Sequence, residues 1–282
     1  MTGKPLVSVI TPSYQQGMFI EATIDSVKMQ TYPHIEHIVV DAGSTDETLD
    51  VLKRHEGSYD LRWISEPDKG QADAIRKGFA MAEGDIVCWL NSDDTYLTPS
   101  VISRVVEYFS DYPDADVICG GGAYIDEEGH WIAPISLRPE RVCAQTLNYI
   151  DELLQPAIFF RKVVTEQIPF ELDMHFAFDW VFLREAARQF NFLPVTDIWA
   201  GYRWWGDNKT ASGGYPRALE MLEVQRRFVG RRSWRYWVVA TFVMLHGIAA
   251  KLPERYRPVA HGLVTRCSFR VSGLLRNRVT PV

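Results

Sequence analysis

The residues of this chain best equipped for chemistry stand in four short polar segments, each closing an apolar, β-branched run. They are Thr11-Pro12-Ser13-Tyr14, Asp41-Ala42-Gly43-Ser44, Ser65-Glu66-Pro67-Asp68-Lys69-Gly70 and Asn91-Ser92-Asp93-Asp94. Three of the four carry carboxylates. Carboxylates gathered in one place repel one another unless a cation or a donor-rich ligand sits among them, or their pKa values shift. With oxygen donors and no close Cys or His pair, the fitting ion is Mg2+ or Mn2+ rather than zinc. Magnesium uses one or two protein carboxylates and completes its shell with water and substrate phosphates, so the cluster points to a diphosphate ligand. Taken alone, the Asp93-Asp94 pair reads equally well as an Asx turn or a helix cap. The familiar phosphate cradles do not occur: there is no G-x-x-x-x-G-K-[ST] loop, and no G-x-G-x-x-G follows the first apolar run. ATPase and dehydrogenase chemistry are disfavoured accordingly.

Such segments converge if they close the strands of an open α/β sheet, where ligands bind at the carboxyl ends. The first 120 residues have that pattern, short β-branched runs alternating with amphipathic stretches, which predicts an α/β domain with a mostly parallel sheet. Strands are expected at Leu6–Thr11, Ile35–Asp41, Leu61–Ser65, Asp85–Leu90 and Val117–Cys119. Crossover helices are expected at Phe19–Gln30, Thr45–Leu52, Ala72–Met81 and Pro99–Phe109, where apolar residues recur at helical spacing. Ser44 with Glu47 reads as a capping box, and Thr98-Pro99 as an N-cap with proline at the first helical position. After Gly120-Gly121-Gly122 the pattern loosens, and a helix returns at Phe178–Arg188.

In order and spacing, several segments resemble the inverting glycosyltransferases of family 2, which have the GT-A fold. They are Val7-Ser8-Val9-Ile10-Thr11-Pro12-Ser13-Tyr14, Gln30-Thr31-Tyr32-Pro33, Ile38-Val39-Val40-Asp41-Ala42-Gly43-Ser44-Thr45-Asp46, Glu66-Pro67-Asp68-Lys69-Gly70-Gln71 and Trp89-Leu90-Asn91-Ser92-Asp93-Asp94. The resemblance spans roughly residues 5–210. It implies a base-binding surface of Pro12, Tyr14 and Asp41, with Asp41 accepting a base N–H. It implies that Asp68 and Lys69, with Asp73 and Arg76 on the next helix, border the nucleotide and donor sugar. Asp93 would meet the ribose or donor sugar and Asp94 the metal. The family often has aspartate where this chain has Asn91. Phe178-Asp179-Trp180, followed by Arg184, matches the position of the catalytic base, which makes Asp179 the candidate to deprotonate an acceptor hydroxyl. Gly201 to Thr210 resembles the loop that closes over the diphosphate, with Arg203 and Lys209 as donors. Trp205 stands where many relatives have histidine, and Trp204 and Trp205 could stack on a sugar or simply pack.

The implied reaction is metal-dependent transfer from a nucleotide-diphosphate sugar, UDP-linked foremost, to a glycan or lipid-linked glycan, as in surface-polysaccharide assembly. A sugar nucleotidyltransferase is the rival enzyme, but the Gly/Arg/Lys-rich first loop that would grip a triphosphate is missing. A catalytically inactive glycan-binding or scaffold module is the non-enzyme alternative. A phosphatase with a D-x-D nucleophile is disfavoured by Asn91.

The 282 residues are 46% hydrophobic and 12% aromatic, enough for a sizeable core. Cys88, Cys119, Cys143 and Cys267 form no close pairs, which indicates neither a zinc knuckle nor a disulfide framework and favours a reducing compartment. With an apolar run at Leu6 to Ile10 too short for a signal-peptide core, a cytoplasmic protein is expected. The net charge of −6 hides an asymmetry: from Arg217 onward 13 Lys and Arg face 3 Asp and Glu. Residues 1–215 are therefore expected to form the catalytic domain, and 216–282 a basic helical extension. Between Arg231 and Arg257 lies an apolar run, Val238 to Ala250, too short to span a bilayer. It suits a helix lying on an anionic membrane surface, or one that packs on the body or forms a homo-oligomer. No nucleic-acid partner is expected.

Overall fold

The computed structural model describes residues 4–148, 153–206 and 208–257, with 259–260, 262–264 and 267. Most of the expected extension beyond Arg257 lies outside the described residues. In chain order the N-terminal half runs β1 (Val7–Ser13), α1 (Ile20–Lys28), β2 (Ile35–Asp41), α2 (Thr48–His55), β3 (Leu61–Ser65), α3 (Gln71–Met81) and β4 (Ile86–Trp89). These strands lie in the order β3-β2-β1-β4, all parallel, with Val7 level with both Ile35 and Ile86. The common register brings the polar segments that follow them to one edge.

The second half continues with β5 (Thr95–Tyr96), α4 (Val101–Asp111), β6 (Val117–Ile125), β7 (Trp131–Ile135), α5 (Ala144–Leu147), β8 (Ile158–Arg161), α6 (Lys162–Gln167), α7 (Phe178–Gln189) and β9 (Phe192–Arg203). Here the sheet is mixed: β8 joins β4 and β6 antiparallel, β6 and β9 are parallel, and β7 and β5 add antiparallel edges. Gly122 marks the tightest passage between β6 and β9, since a Cβ there would stand 2.2 Å from the Ala200 carbonyl oxygen. The chain ends in α8 (Lys209–Ser212), α9 (Gly214–Phe228) and α10 (Trp234–Ala250).

The expected elements form within a few residues of their predicted ends, except that the strand expected at Val117–Cys119 runs on to Ile125, and both caps differ. α2 starts at Thr48 with no side-chain cap, because the Ser44 hydroxyl is spent on Asp41 Oδ1 at 2.5 Å. α4 starts at Val101, and the Thr98 and Pro99 carbonyls accept from Gln30 Nε2 and Thr31 N instead. The first hydroxyl is taken by a residue three positions upstream, whereas at α4 the distant Gln30 Oε1 accepts the Ile102 N–H at 3.0 Å in place of a local cap. Behind the edge that gathers the loops, Trp89 stacks on Phe160 with ring centroids 5.6 Å apart and is met edge-on by Phe79, Phe170 and Phe182. This aromatic layer fixes the end of β4, from which the acidic turn projects.

Candidate active site

Asn91 to Asp94 form a tight turn closed by the Asp94 N–H on the Asn91 carbonyl at 3.0 Å. From α1, the Thr23 hydroxyl lies 2.9 and 2.8 Å from the carbonyls of Ser92 and Asp94, anchoring the turn from below. Neighbouring side chains in so short a turn leave on opposite sides. Asp94 goes inward: it is 1% exposed, accepting from the Arg203 N–H at 3.1 Å and from Asn91 Nδ2 at 3.0 Å. Asp93 goes outward and lines the cleft, held by Trp205 Nε1 at 3.1 Å. Burial pushes both carboxyls above their ordinary range, Asp94 strongly so, and the Asp93 charge adds to that shift. Asp94, expected to take the metal, is thus buried behind the cleft, and Asp93 is the member of the pair that faces it. The carboxylate open to a ligand is Asp93.

The cleft is a cavity of about 630 Å3 that also receives Asp179, from the first turn of α7. Burial raises the Asp179 pKa, and its Oδ1 accepts the Trp180 N–H at 2.7 Å. Glu220, from α9, sets the angle at which α7 begins. Its two oxygens accept the N–H groups of His175, Phe176 and Ala177 at 2.9, 2.6 and 3.0 Å. Lys209 lines the same cavity, with burial pulling its pKa down to about 8. An amide relay crosses the floor: Lys209 Nζ donates to Gln71 Oε1 at 2.8 Å and Gln71 Nε2 to Asn91 Oδ1 at 2.7 Å. Asn91 Nδ2 in turn reaches Gln155 Oε1 at 3.1 Å as well as Asp94. Only an amide at position 91 can accept from Gln71 while donating to a carboxylate, whereas an aspartate there would face Asp94 charge to charge.

One further expectation is corrected. Arg203 was expected to reach a diphosphate, but it is buried outside the cavity lining, with Nε donating to the Asp93 carbonyl at 2.8 Å and Nη1 to those of Asp126 and Glu127 at 2.7 and 2.6 Å. Of the two roles left open for Trp205, the structure shows packing: it meets Phe19 edge-on and donates from Nε1 to Asp93. Trp204, half exposed, lines the cavity beside Tyr124 and Tyr202.

At the ends of β1 to β3 lies a second group, outside the cavity lining. Pro12 is buried on β1 and Tyr14 stands 59% exposed beyond it. Asp41 is fully buried and accepts from Gly43 N, Ser44 N, the Ser44 hydroxyl and the Ser65 hydroxyl. In this structure it shapes the loop from within, where a base N–H was expected. Asp68 accepts the Gly70 N–H at 2.7 Å, and Gly70 takes a φ of 110° that suits glycine. Asp73 accepts from Arg76 Nη2 at 2.7 Å and from Lys69 N at 3.3 Å, so Asp73 and Arg76 brace this loop while the Lys69 side chain is exposed. The Arg76 hydrogen bond holds the Asp73 carboxyl below its ordinary range.

A sequence profile described as Glycosyl transferase family 2 matches residues 8–187. The chain belongs to that family. It is 34% identical over 192 residues to an uncharacterised glycosyltransferase of Mycobacterium tuberculosis, covering 66% of this chain and 71% of the relative. Its fold is similar to that of S. aureus TarS residues 1–349 in complex with UDP-GlcNAc, with a TM-score of 0.64 and 17% identity over 90% of this chain and 78% of that one. It is also similar to the mannosyltransferase PcManGT from Pyrobaculum calidifontis in complex with GDP-Man and Mn2+, with a TM-score of 0.60 and 19% identity over 96% and 81%. The expected GT-A architecture is thus confirmed.

In this family 2 glycosyltransferase, Asp93 suits a divalent ion: it is a half-buried carboxylate facing a cavity wide enough for phosphates and water. A separate group, Asp126, Glu128 and His130, brings its ligand atoms within 4.8 Å of one another in the β6–β7 turn, with His130 bonded to Asp126. Sequence spacing missed Glu220, Gln155, Arg138 and Arg217, the last three of which line the cavity. No local motif announces them.

Proposed function

We propose that this family 2 glycosyltransferase moves a sugar from a nucleoside-diphosphate donor, UDP-linked foremost, to a hydroxyl of a glycan or lipid-linked glycan, with inversion. The observation that carries the reading is the placement of Asp93 and Asp179 in one cavity, both raised in pKa by burial. Asp93 is the residue to hold Mg2+ or Mn2+, with Trp205 orienting its carboxylate and the Asn91–Asp94 hydrogen bond closing the turn behind it. Such an ion, when bound, neutralises the charge that develops on the departing diphosphate. Lys209 contributes a second positive charge from the lid side, and Gln71 fixes its position.

Asp179 takes the proton of the acceptor hydroxyl as that oxygen bonds to the anomeric carbon and the bond to the phosphate oxygen breaks. Asp93 and Asp179 are the only carboxylates lining this cavity among the described residues. With Asp93 given to the donor, Asp179 acts as the base of a single displacement, the course that the family resemblance implies. The solved neighbours bind UDP-GlcNAc in one case and GDP-Man in the other, so both donor classes belong in the test. A lipid-linked acceptor would place the reaction at a membrane surface.

The reading is checked by a screen of UDP- and GDP-sugars for release of nucleoside diphosphate, with Mg2+, Mn2+ or a chelator. Metal-dependent turnover of at least one donor is expected. Turnover of none, or turnover indifferent to chelation, would overturn the metal-dependent reading.

A further inference from the structure

We infer that the outer face of α10 seats this protein on an anionic phospholipid bilayer, the helix lying along the surface. At 100° per residue, Trp234, Trp237, Thr241, Met244, Leu245 and Ile248 share a stripe about 100° wide. The apolar members of that stripe are exposed, Trp237 by 60%, Met244 by 59% and Ile248 by 54%. Thr241, its one polar member, satisfies its hydroxyl on the Trp237 carbonyl at 2.8 Å. The opposite face, with Tyr236, Val243, His246 and Ala249, is buried, and Gly247 comes close to the Tyr215 ring of α9. The helix is thus docked by one side and bare along the other. Beyond it, Leu252, Tyr256, Val259 and Leu263 are exposed as well. A contiguous apolar surface of this kind marks a contact site.

Its surroundings select the occupant. Arg231 and Arg232 precede the helix, Lys251, Arg255 and Arg257 follow it, and all five are exposed. After Glu223 the sequence contains a single acidic residue, Glu254. A symmetric contact between two copies would bring these cations face to face, whereas an anionic leaflet pairs with them. No helix among the described residues is long and apolar enough to cross a membrane, and tryptophans with flanking arginines suit a helix in the headgroup region. The same hairpin reaches the cleft, because α9 supplies Glu220 to the loop before Asp179 and Arg217 to the cavity. Anchoring α10 would hold the cavity near lipid-linked acceptors. That consequence rests on the proposed function; the binding itself does not.

The test is flotation of the full chain with vesicles of phosphatidylcholine alone, or mixed with phosphatidylglycerol, without donor or acceptor. Binding to the anionic vesicles at low salt and release at high salt are expected. Arg231→Gln with Arg232→Gln should weaken partitioning about 25-fold, at roughly fivefold per cation near such a surface. Met244→Asp with Ile248→Asp should abolish it while the thermal melt stays cooperative. Wild-type chain that fails to float, a double aspartate variant that floats normally, or a lipid-free dimer that this variant dissociates would each overturn the inference. Because the vesicles carry no substrate, donor turnover by the non-floating variant separates failure here from failure of the transferase reading.

Discussion

At the scale of residues, burial and pairing sort the acids of this chain into two kinds. Glu36 is buried, which alone would push its pKa up, yet the Ser8 hydroxyl, the Glu83 N–H and Arg62 outweigh that and hold it low. Asp73 is held low by Arg76. Asp93, Asp94 and Asp179 are instead raised, as is Asp68, because burial outweighs their partners. A pH profile follows. Asp179 must be ionised to act, so kcat/KM rises with pH through a value above the ordinary carboxylate range. Lys209 loses its charge as pH passes about 8, so the profile falls again there. Lys209→Met should remove the basic limb and keep the acidic one; an unchanged basic limb would detach Lys209 from the donor.

At the scale of elements, the cleft depends on contacts between segments far apart in sequence. Glu220→Ala leaves three N–H groups at the start of α7 without their acceptor, a loss comparable to a helix cap and worth about 1–2 kcal/mol. Because α7 carries Asp179, kcat should fall while donor affinity holds; steady-state kinetics beside donor titration would detect the split. The strand-end segments were legible in sequence because parallel strands in common register deliver whatever follows them to one edge. The inward turn of Asp94 and the outward turn of Asp93 were not, since adjacent residues of a tight turn differ only in direction. The partners of Arg203 and Trp205 escape the sequence for a related reason. Those groups, the carbonyl and carboxylate of Asp93, lie 110 and 112 residues upstream, and no local spacing encodes such contacts.

At the scale of the molecule, an acidic body and a basic helical end meet at α9. Its Val224 belongs to the main core, and its Glu220 and Arg217 belong to the cleft, while α10 packs on it and turns an apolar stripe outward. Composition made the charge asymmetry legible, though it could not show that the basic end completes the site. The account stands on Asp93 serving the donor and Asp179 serving the acceptor. Calorimetric titration of the preferred donor with Mn2+, paired with a transfer assay, tests it on Asp93→Asn and Asp179→Asn. The prediction is that Asp93→Asn abolishes the metal-dependent part of donor affinity, while Asp179→Asn binds donor as wild type and loses ~10²–10⁴-fold in kcat. Wild-type transfer by Asp179→Asn, or wild-type metal-dependent binding by Asp93→Asn, would contradict it.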